Sequence, residues 1–311
     1  MNIQQLEYVI AVDTYRHFVK AAEKCFVTQA TLSMMIKKLE EELDVKIFDR
    51  SRQPVVPTEI GIKIIAQAKI IVRENNRLKE MVHEEQGELK GELRIGIIPT
   101  LAPYLLPLFM NSFLKKYPSV KLKISEFTTN QIIHKLEQHG LDAGLLSTPL
   151  NQPSLREEPL FYEQFVVYAS SGEKILKKKF VLANDIDVNR LCLLEEGHCL
   201  RSQVFNLCEL RNKEQEFRQL DFETGSIETL KRIVEVDQGI TILPILALKA
   251  MTAKQKQNIR YFKEPVPVRE VGLVTYRYFV KEKLIQSLKD EILSNIPAEM
   301  RSLSKKEIIN I

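Results

Sequence analysis

The chain has 311 residues, 44% of them hydrophobic and 28% charged, with 45 basic against 41 acidic side chains. That is apolar material for a proper core, which excludes a disordered chain, and the length suits two or three domains. A formal net charge of +4 does not announce nucleic-acid binding, so any case for DNA must rest on local placement.

The opening Met1-Asn2-Ile3-Gln4-Gln5 lacks the basic and apolar regions of a signal peptide, and the longest apolar runs, 101–110 and 239–248, are too short to span a bilayer. The expectation is a cytoplasmic protein with no membrane partner. Residues 2–16 place Ile3, Leu6, Val9 and Ile10 on one helical face, and a short second helix over 19–24 carries the small pair Ala21 and Ala22. Thr28 can cap a third helix whose Leu32, Ile36, Leu39 and Leu43 form the buried stripe. Gln29, Thr31, Ser33, Met34, Lys37 and Lys38 are left outward. Two helices joined by a turn, with small residues at the crossing and a polar outer face, have the geometry that enters a major groove. Residues 45–56, with two turn-prone stretches and Arg50 and Arg52, predict a short hairpin or wing on phosphate. A three-helix packing module with a solvated face would show the same pattern.

The residues themselves favour the first reading. The run Ala21-Ala22-Glu23-Lys24-Cys25-Phe26-Val27-Thr28-Gln29-Ala30-Thr31-Leu32-Ser33, then Ile36-Lys37-Lys38-Leu39-Glu40, Ile47-Phe48-Asp49-Arg50 and Pro57-Thr58-Glu59-Ile60-Gly61, resembles the winged helix-turn-helix of LysR-type transcription regulators. Two positions depart from the family pattern. Ala30 stands where a proline is common, and Asp44 where a glycine is common, which asks a non-glycine residue to make the turn.

Residues 58–85 read as one long helix in which Ile64, Ala68, Ile71, Asn75, Leu78 and Val82 alternate in steps of four and three, a heptad seam. A polar Asn75 on such a seam fixes register between partner helices, although an ordinary amphipathic stripe has the same period over so few heptads. The resemblance implies a linker helix here. The expected organisation is a winged helix-turn-helix DNA-binding domain at 1–58, a linker helix for dimerisation at 59–88 and a two-lobed regulatory domain at 89–311.

After Gly91 strands and helices alternate. Strands are predicted at 93–98, 120–127, 143–147, 165–169, 191–194, 219–222 and 271–276, with helices such as 104–116 and 130–138 between them. This pattern predicts a mostly parallel, doubly wound α/β body. The resemblance implies the two-lobed fold of periplasmic solute-binding proteins, with the chain crossing between lobes near Tyr162 and again at 264–268.

In an open parallel sheet, ligands lie beyond the carboxyl ends of the strands. Pro99-Thr100, Thr128-Thr129 and Gly197-His198-Cys199 all fall at such ends and should converge on one cleft. A thiol flanked by hydroxyl donors suits peroxide, because the thiolate attacks one oxygen while hydroxyls stabilise charge on the leaving one. Cys199 precedes a predicted helix bearing Val204, Leu207 and Cys208 on its inner side, and a helix start favours the thiolate. Arg201 could add positive charge; His198 could act likewise or simply bond to a carbonyl. If Cys199 and Cys208 sat on one continuous helix, their Cα atoms would be roughly 13 Å apart, whereas a disulfide needs them within about 7 Å. Any bond between them requires the segment to unwind, which makes the pair a candidate switch. Cys25 and Cys192 read as small buried hydrophobes.

The segments Ile98-Pro99-Thr100-Leu101-Ala102-Pro103-Tyr104-Leu105-Leu106-Pro107 and Glu196-Gly197-His198-Cys199-Leu200-Arg201, with Cys208 beyond, are similar to the peroxide-sensing members of the LysR-type family. That resemblance implies Cys199 as the peroxidatic cysteine, Cys208 as the resolving one, and Thr100 and Thr129 as side chains that help to hold peroxide. Thr224-Gly225-Ser226 and Gly239-Ile240-Thr241 would line or support the cleft, and Asp142 would occupy a structural turn. It further implies a hydrogen-peroxide-responsive regulator that is not an enzyme, needs no cofactor or metal, binds a double-stranded DNA operator, works with RNA polymerase, and forms homodimers that pair into tetramers. Three other readings compete: a LysR-type regulator with a small organic effector in the cleft and incidental cysteines, a thiol peroxidase, and a metal site on His198, Cys199 and Cys208. The last lacks the second close Cys/His pair that a four-ligand zinc site needs.

Overall fold

The computed structural model describes residues 1–85, 89–208, 224–236, 239–277 and 281–311. The chain separates into two compact units, Met1–Glu88 and Leu89–Ile311. No described helix is long and apolar enough to cross a membrane.

In the first unit, α1 (Ile3–Tyr15) starts at an Asn2 capping box closed by Gln5. The next helix, α2 (Phe18–Lys24), buries Ala21 and Ala22, and α3 (Gln29–Glu42) starts where the Thr28 hydroxyl accepts the Thr31 N–H. Leu32, Ile36 and Leu39 lie in the core as expected, but Leu43 does not. The helix ends at Glu42, so Leu43 leaves the buried face as its C-cap and is 39% exposed. Asp44 then takes φ 51°, the left-handed turn that its departure from glycine demanded. The strands β1 (Phe48–Asp49) and β2 (Val56–Pro57) pair antiparallel as the expected wing.

The long helix α4 (Glu59–Glu85) approaches the wing at Gly61, where a Cβ would stand 2.0 Å from the Ile47 carbonyl oxygen. Its predicted seam divides. Ile65 and Ala68 are buried in the core of this unit and Ile64, Ile71 and Val72 pack against it, while Leu78 is 66% exposed. The first half of the stripe is therefore occupied by its own chain. The side chain of Val82 lies outside the described residues.

The second unit opens with parallel strands β3 (Gly91–Ile97), β4 (Val120–Glu126) and β5 (Ala143–Thr148), linked by α5 (Ala102–Lys116) and α6 (Thr129–Glu137). The chain then runs through β6 (Leu155–Ala169), β7 (Phe180–Val181), α7 (Cys199–Leu207), α8 (Ile227–Val236), β8 (Ile240–Pro244), α9 (Ala253–Gln257), β9 (Ile259–Phe262), β10 (Val266–Tyr276), α10 (Glu282–Asn295) and β11 (Lys306–Ile308). The sheet order is β4-β3-β5-β10-β6-β9-β7, with β8 beside β6 and β11 beside β10.

The expectation of a mostly parallel sheet is corrected here. The strand β6 pairs antiparallel with β10 as far as Gln164, then from Phe165 onward with β8 and β9, also antiparallel. The first lobe crossing lies within β6, where its partners change after Gln164, and the second leads from β9 into β10; the two long strands run in opposite directions and so pair antiparallel. Their positions agree with those expected near Tyr162 and 264–268. The predicted strand at 191–194 is also corrected: of these residues Leu191 alone forms a β-bridge, to Ile240, and the Glu195 N–H donates to the Thr224 carbonyl. The predicted strand at 219–222 lies outside the described residues. The result is two lobes hinged on two long strands, the arrangement of periplasmic binding proteins.

Candidate redox site

Cys199 is the first residue of α7 and His198 its N-cap. The thiol is buried, 4% exposed, and its Sγ lies 3.4 Å from the Ser147 hydroxyl. Ser147 is the penultimate residue of β5, in the other lobe, so the thiol meets the opposing lobe directly. Sequence reasoning missed Ser147, although it lies at the carboxyl side of β5 as Thr100 and Thr129 lie just beyond β3 and β4. Cys208 caps the far end of α7 and is also buried. No disulfide joins the four cysteines, and one unbroken helix holds the pair roughly 13 Å apart.

Thr100 is buried and its Oγ1 accepts a hydrogen bond from Arg269 Nη1 at 2.9 Å. Arg269 is wholly buried on β10 and donates from Nε and Nη2 to Glu163 Oε2 at 2.8 and 2.7 Å. The second Glu163 oxygen accepts the Leu246 N–H at 2.9 Å. A buried charge of either sign is costly alone, and here each oxygen and the guanidinium fork find partners. This pair sits at the lobe crossing, where Glu163 and Arg269 face each other in register. Neither residue was found from sequence, because a lone Arg and Glu inside strands show no pattern until the strands pair. Thr129 Oγ1 is buried with no protein partner, an uncompensated hydroxyl of the kind that a bound polar molecule satisfies.

The remaining expected site residues are held by other groups. His198 Nε2 lies 3.3 Å from Glu195 Oε1, and a Cβ on Gly225 would stand 2.9 Å from that same nitrogen. Its placement is that of a structural histidine, not of a base at the sulfur. Arg201 donates to the Leu194 carbonyl at 2.7 Å and covers the Phe205 ring, so its guanidinium is directed to those groups and not to Cys199. Thr224 Oγ1 accepts the Ser226 N–H, and Ser226 Oγ accepts the Thr229 N–H in the first turn of α8. Thr241 donates to the Cys192 carbonyl. Across the cleft, the Tyr104 hydroxyl donates to Glu228 Oε1 at 2.8 Å, and Lys231, nearly buried, pairs with the same carboxylate at 2.7 Å. Burial, and then the hydrogen bond to Glu228 and its charge, hold the Tyr104 phenol far above its ordinary value. Asp142 accepts from Arg94 and Lys281, a structural turn as expected. Among the described residues, no group of three or more His, Cys, Asp or Glu side chains is placed to hold a metal ion.

On the head, Gln29, Thr31, Met34, Lys37 and Lys38 are exposed along α3 and Ser33 is half-buried. Arg50, expected on phosphate, is anchored instead: it donates to Glu40 Oε2 at 2.9 Å and to Ser33 Oγ at 3.1 Å, over the Phe18 ring. Glu40 is buried and its other oxygen accepts the Ile47 and Phe48 N–H groups, so it ties the wing to α3. Arg52 is exposed, 3.3 Å from Asp49. A cleft of about 520 Å³ between α2, α3 and the wing is lined by Arg16, Lys20, Gln29, Ser33, Arg50 and Arg52, among others.

Residues 3–62 match the lysR family of bacterial regulatory helix-turn-helix proteins, and residues 86–296 match the LysR substrate binding domain. The chain belongs to the LysR family. Within it, the chain is similar to OxyR proteins. The hydrogen peroxide-inducible genes activator of Pectobacterium carotovorum subsp. carotovorum is 33% identical over 307 residues, covering 98% of this chain and 100% of that one. The DNA-binding transcriptional dual regulator OxyR of Escherichia coli K12 is 34% identical over 276 residues, covering 88% and 89%. A full-length OxyR variant from Pseudomonas aeruginosa superimposes with a TM-score of 0.76 at 31% identity, covering 95% of this chain and 99% of that one. This LysR-family chain is thus a DNA-binding transcriptional regulator of the OxyR type.

Proposed function

We propose that the chain is a hydrogen-peroxide-responsive transcription regulator in which Cys199 is the peroxidatic and Cys208 the resolving cysteine. The observation that carries this is the thiol of Cys199 at a helix start, bonded to a hydroxyl of the opposing lobe, with a second buried thiol at the far end of the same helix. The Cys199 thiolate attacks one peroxide oxygen, the O–O bond breaks, and the leaving hydroxide is protonated to water. The Cys208 thiolate then attacks the sulfenic sulfur and expels a second hydroxide, so two thiols and one peroxide give a disulfide and two waters. Thr100 and Thr129 are the peroxide-holding hydroxyls, joined by Ser147; Arg269 acts through Thr100, which it orients. His198 and Arg201 support the site by bracing the backbone before and within α7.

Unwinding of α7 changes the surface of the regulatory unit and so the packing of subunits in a homodimer or in a tetramer made of two such dimers. On the head, Gln29, Thr31, Ser33, Met34, Lys37 and Lys38 face operator DNA, Arg52 meets phosphate and Arg50 positions the wing. RNA polymerase is the downstream partner, and the output is transcription rather than a released product. Mass spectrometry after substoichiometric peroxide tests the reading. It expects a Cys199–Cys208 linkage in the wild type and sulfenic acid trapped on Cys199 in Cys208→Ser. Equal peroxide-driven changes in operator affinity in wild type and Cys199→Ser would instead support an organic-effector regulator.

A further inference from the structure

For Cys199 and Cys208 to meet, α7 must open, and Gln203 and Asn206 lie inside the span that opens. Both are tied sideways to a distant part of the chain. Gln203 Nε2 donates to the Ile309 carbonyl at 3.0 Å, and Asn206 Nδ2 donates to the Asn310 carbonyl at 3.0 Å. Those carbonyls are themselves anchored. Lys306, Glu307 and Ile308 of β11 pair in parallel with Val266, Pro267 and Val268 of β10, and the Ile309 N–H donates to the Val268 carbonyl at 2.9 Å. Ile309 and Ile311 also pack against the core of this unit. The neighbouring residue on β10 is Arg269, which holds Thr100, so the anchor and the site share one strand. Gln203 is completely buried, and its Oε1 has no partner. The bond to Ile309 thus compensates half of an otherwise unpaired buried amide, and its loss leaves a group that favours leaving the interior.

We propose that the segment 306–311 is a clamp on the redox helix, and that Gln203 and Asn206 are the positioning residues through which it opposes the approach of Cys208 to Cys199. The inference rests on the peroxide-sensor reading. The chemistry is unaltered: Cys208 displaces hydroxide from the Cys199 sulfenic acid, and the clamp acts only on the helix between them. Bonds present in the dithiol form and lost with the helix favour the dithiol form, so releasing them moves the equilibrium toward disulfide and speeds resolution.

Two variants test this: deletion of 309–311, and Asn206→Ala in the otherwise intact chain. Each is equilibrated in glutathione redox buffers, and disulfide formation after a peroxide pulse is followed by acid quench and mass spectrometry. The deletion is expected to shift the thiol–disulfide equilibrium about tenfold toward disulfide, about 30 mV in potential, and to accelerate resolution by a similar factor. Asn206→Ala, which removes the more exposed bond, should shift it roughly threefold the same way, and it carries the test if the deletion does not fold. The rate of sulfenic acid formation in a Cys208→Ser background should not change in either. A merely structural role would lower the melting temperature and leave the redox equilibrium in place. Wild-type equilibrium and resolution rate in the folded variants, or a shift toward thiol, overturns the clamp. Absence of the Cys199–Cys208 bond in the wild type overturns the sensor reading itself, and the clamp with it.

Discussion

Ser147 shows how a single hydroxyl acquires meaning from its surroundings. It is fully buried at the end of β5 and touches the sulfur of a helix in the other lobe. Ser147→Ala removes that polar neighbour and should slow Cys199 oxidation by roughly three- to tenfold, the worth of one buried hydrogen bond, measured by stopped-flow trapping of the sulfenic acid. Cys25 is the contrasting thiol. Burial, with some help from the Glu7 charge, pushes its pKa up, so less thiolate is present near neutrality. Alkylation of Cys25 by iodoacetamide at pH 7 should be slower than that of a free thiol and should rise as pH climbs above about 9, as peptide mass spectrometry can follow. The buried Arg269 is a third case: its charge is supportable only because Glu163 and Thr100 are already in place.

The helix α3 and the wing behave as one element because Glu40 binds them. Its carboxylate takes two N–H groups of the wing and the Arg50 guanidinium. Lys37, by contrast, is exposed and pairs at 3.6 Å with the exposed Glu41. Lys37→Ala should weaken operator binding several-fold with unchanged head stability, and a reduced salt slope of about one unit will mark a lost phosphate contact. Arg50→Ala should weaken binding too, but also lower head stability by about 1–3 kcal/mol, since it strips a partner from a buried carboxylate. Chemical denaturation alongside operator titration separates the two. Equal stability losses would mean that Arg50 is not the anchor described. In α4, the helical period alone did not distinguish residues packed on the head from those free for a partner; Ala68 and Leu78 share the stripe but not the environment.

The regulatory unit is held as two lobes by long strands that no local pattern marks as special. Within it Asp142 joins β3 to the residues before α10, accepting from Arg94 and Lys281. Burial raises its pKa, but the Arg94 hydrogen bonds and the Lys281 charge outweigh that and hold the carboxyl below its ordinary value. A carboxyl depressed in the folded state contributes its full stabilisation above the unfolded pKa and loses it as pH falls through the folded one. Stability of this unit should therefore decline below about pH 4, and Asp142→Asn should flatten that acid limb while lowering the plateau above it. Guanidinium titrations across pH 2.5–7 check this; a wild-type acid limb in the variant would remove Asp142 from the account.

Local order was readable from the residues in turn: the apolar faces of α1 to α3 and the Thr28 cap, the wing, the length of α4, the βα repeat after Gly91, and the nine-residue separation of the two cysteines. These follow from periodicity and from turn chemistry, which act over a few neighbours. The family resemblance rested on the same short runs. The antiparallel lobe crossing, the burial of half the α4 stripe, the turning of Arg50 and Arg201 to other partners, and the meeting of Ser147 with Cys199 had no such local trace. Each depends on which surfaces come together across tens to hundreds of residues, and a side chain's partner is set by that packing rather than by its neighbours in the chain.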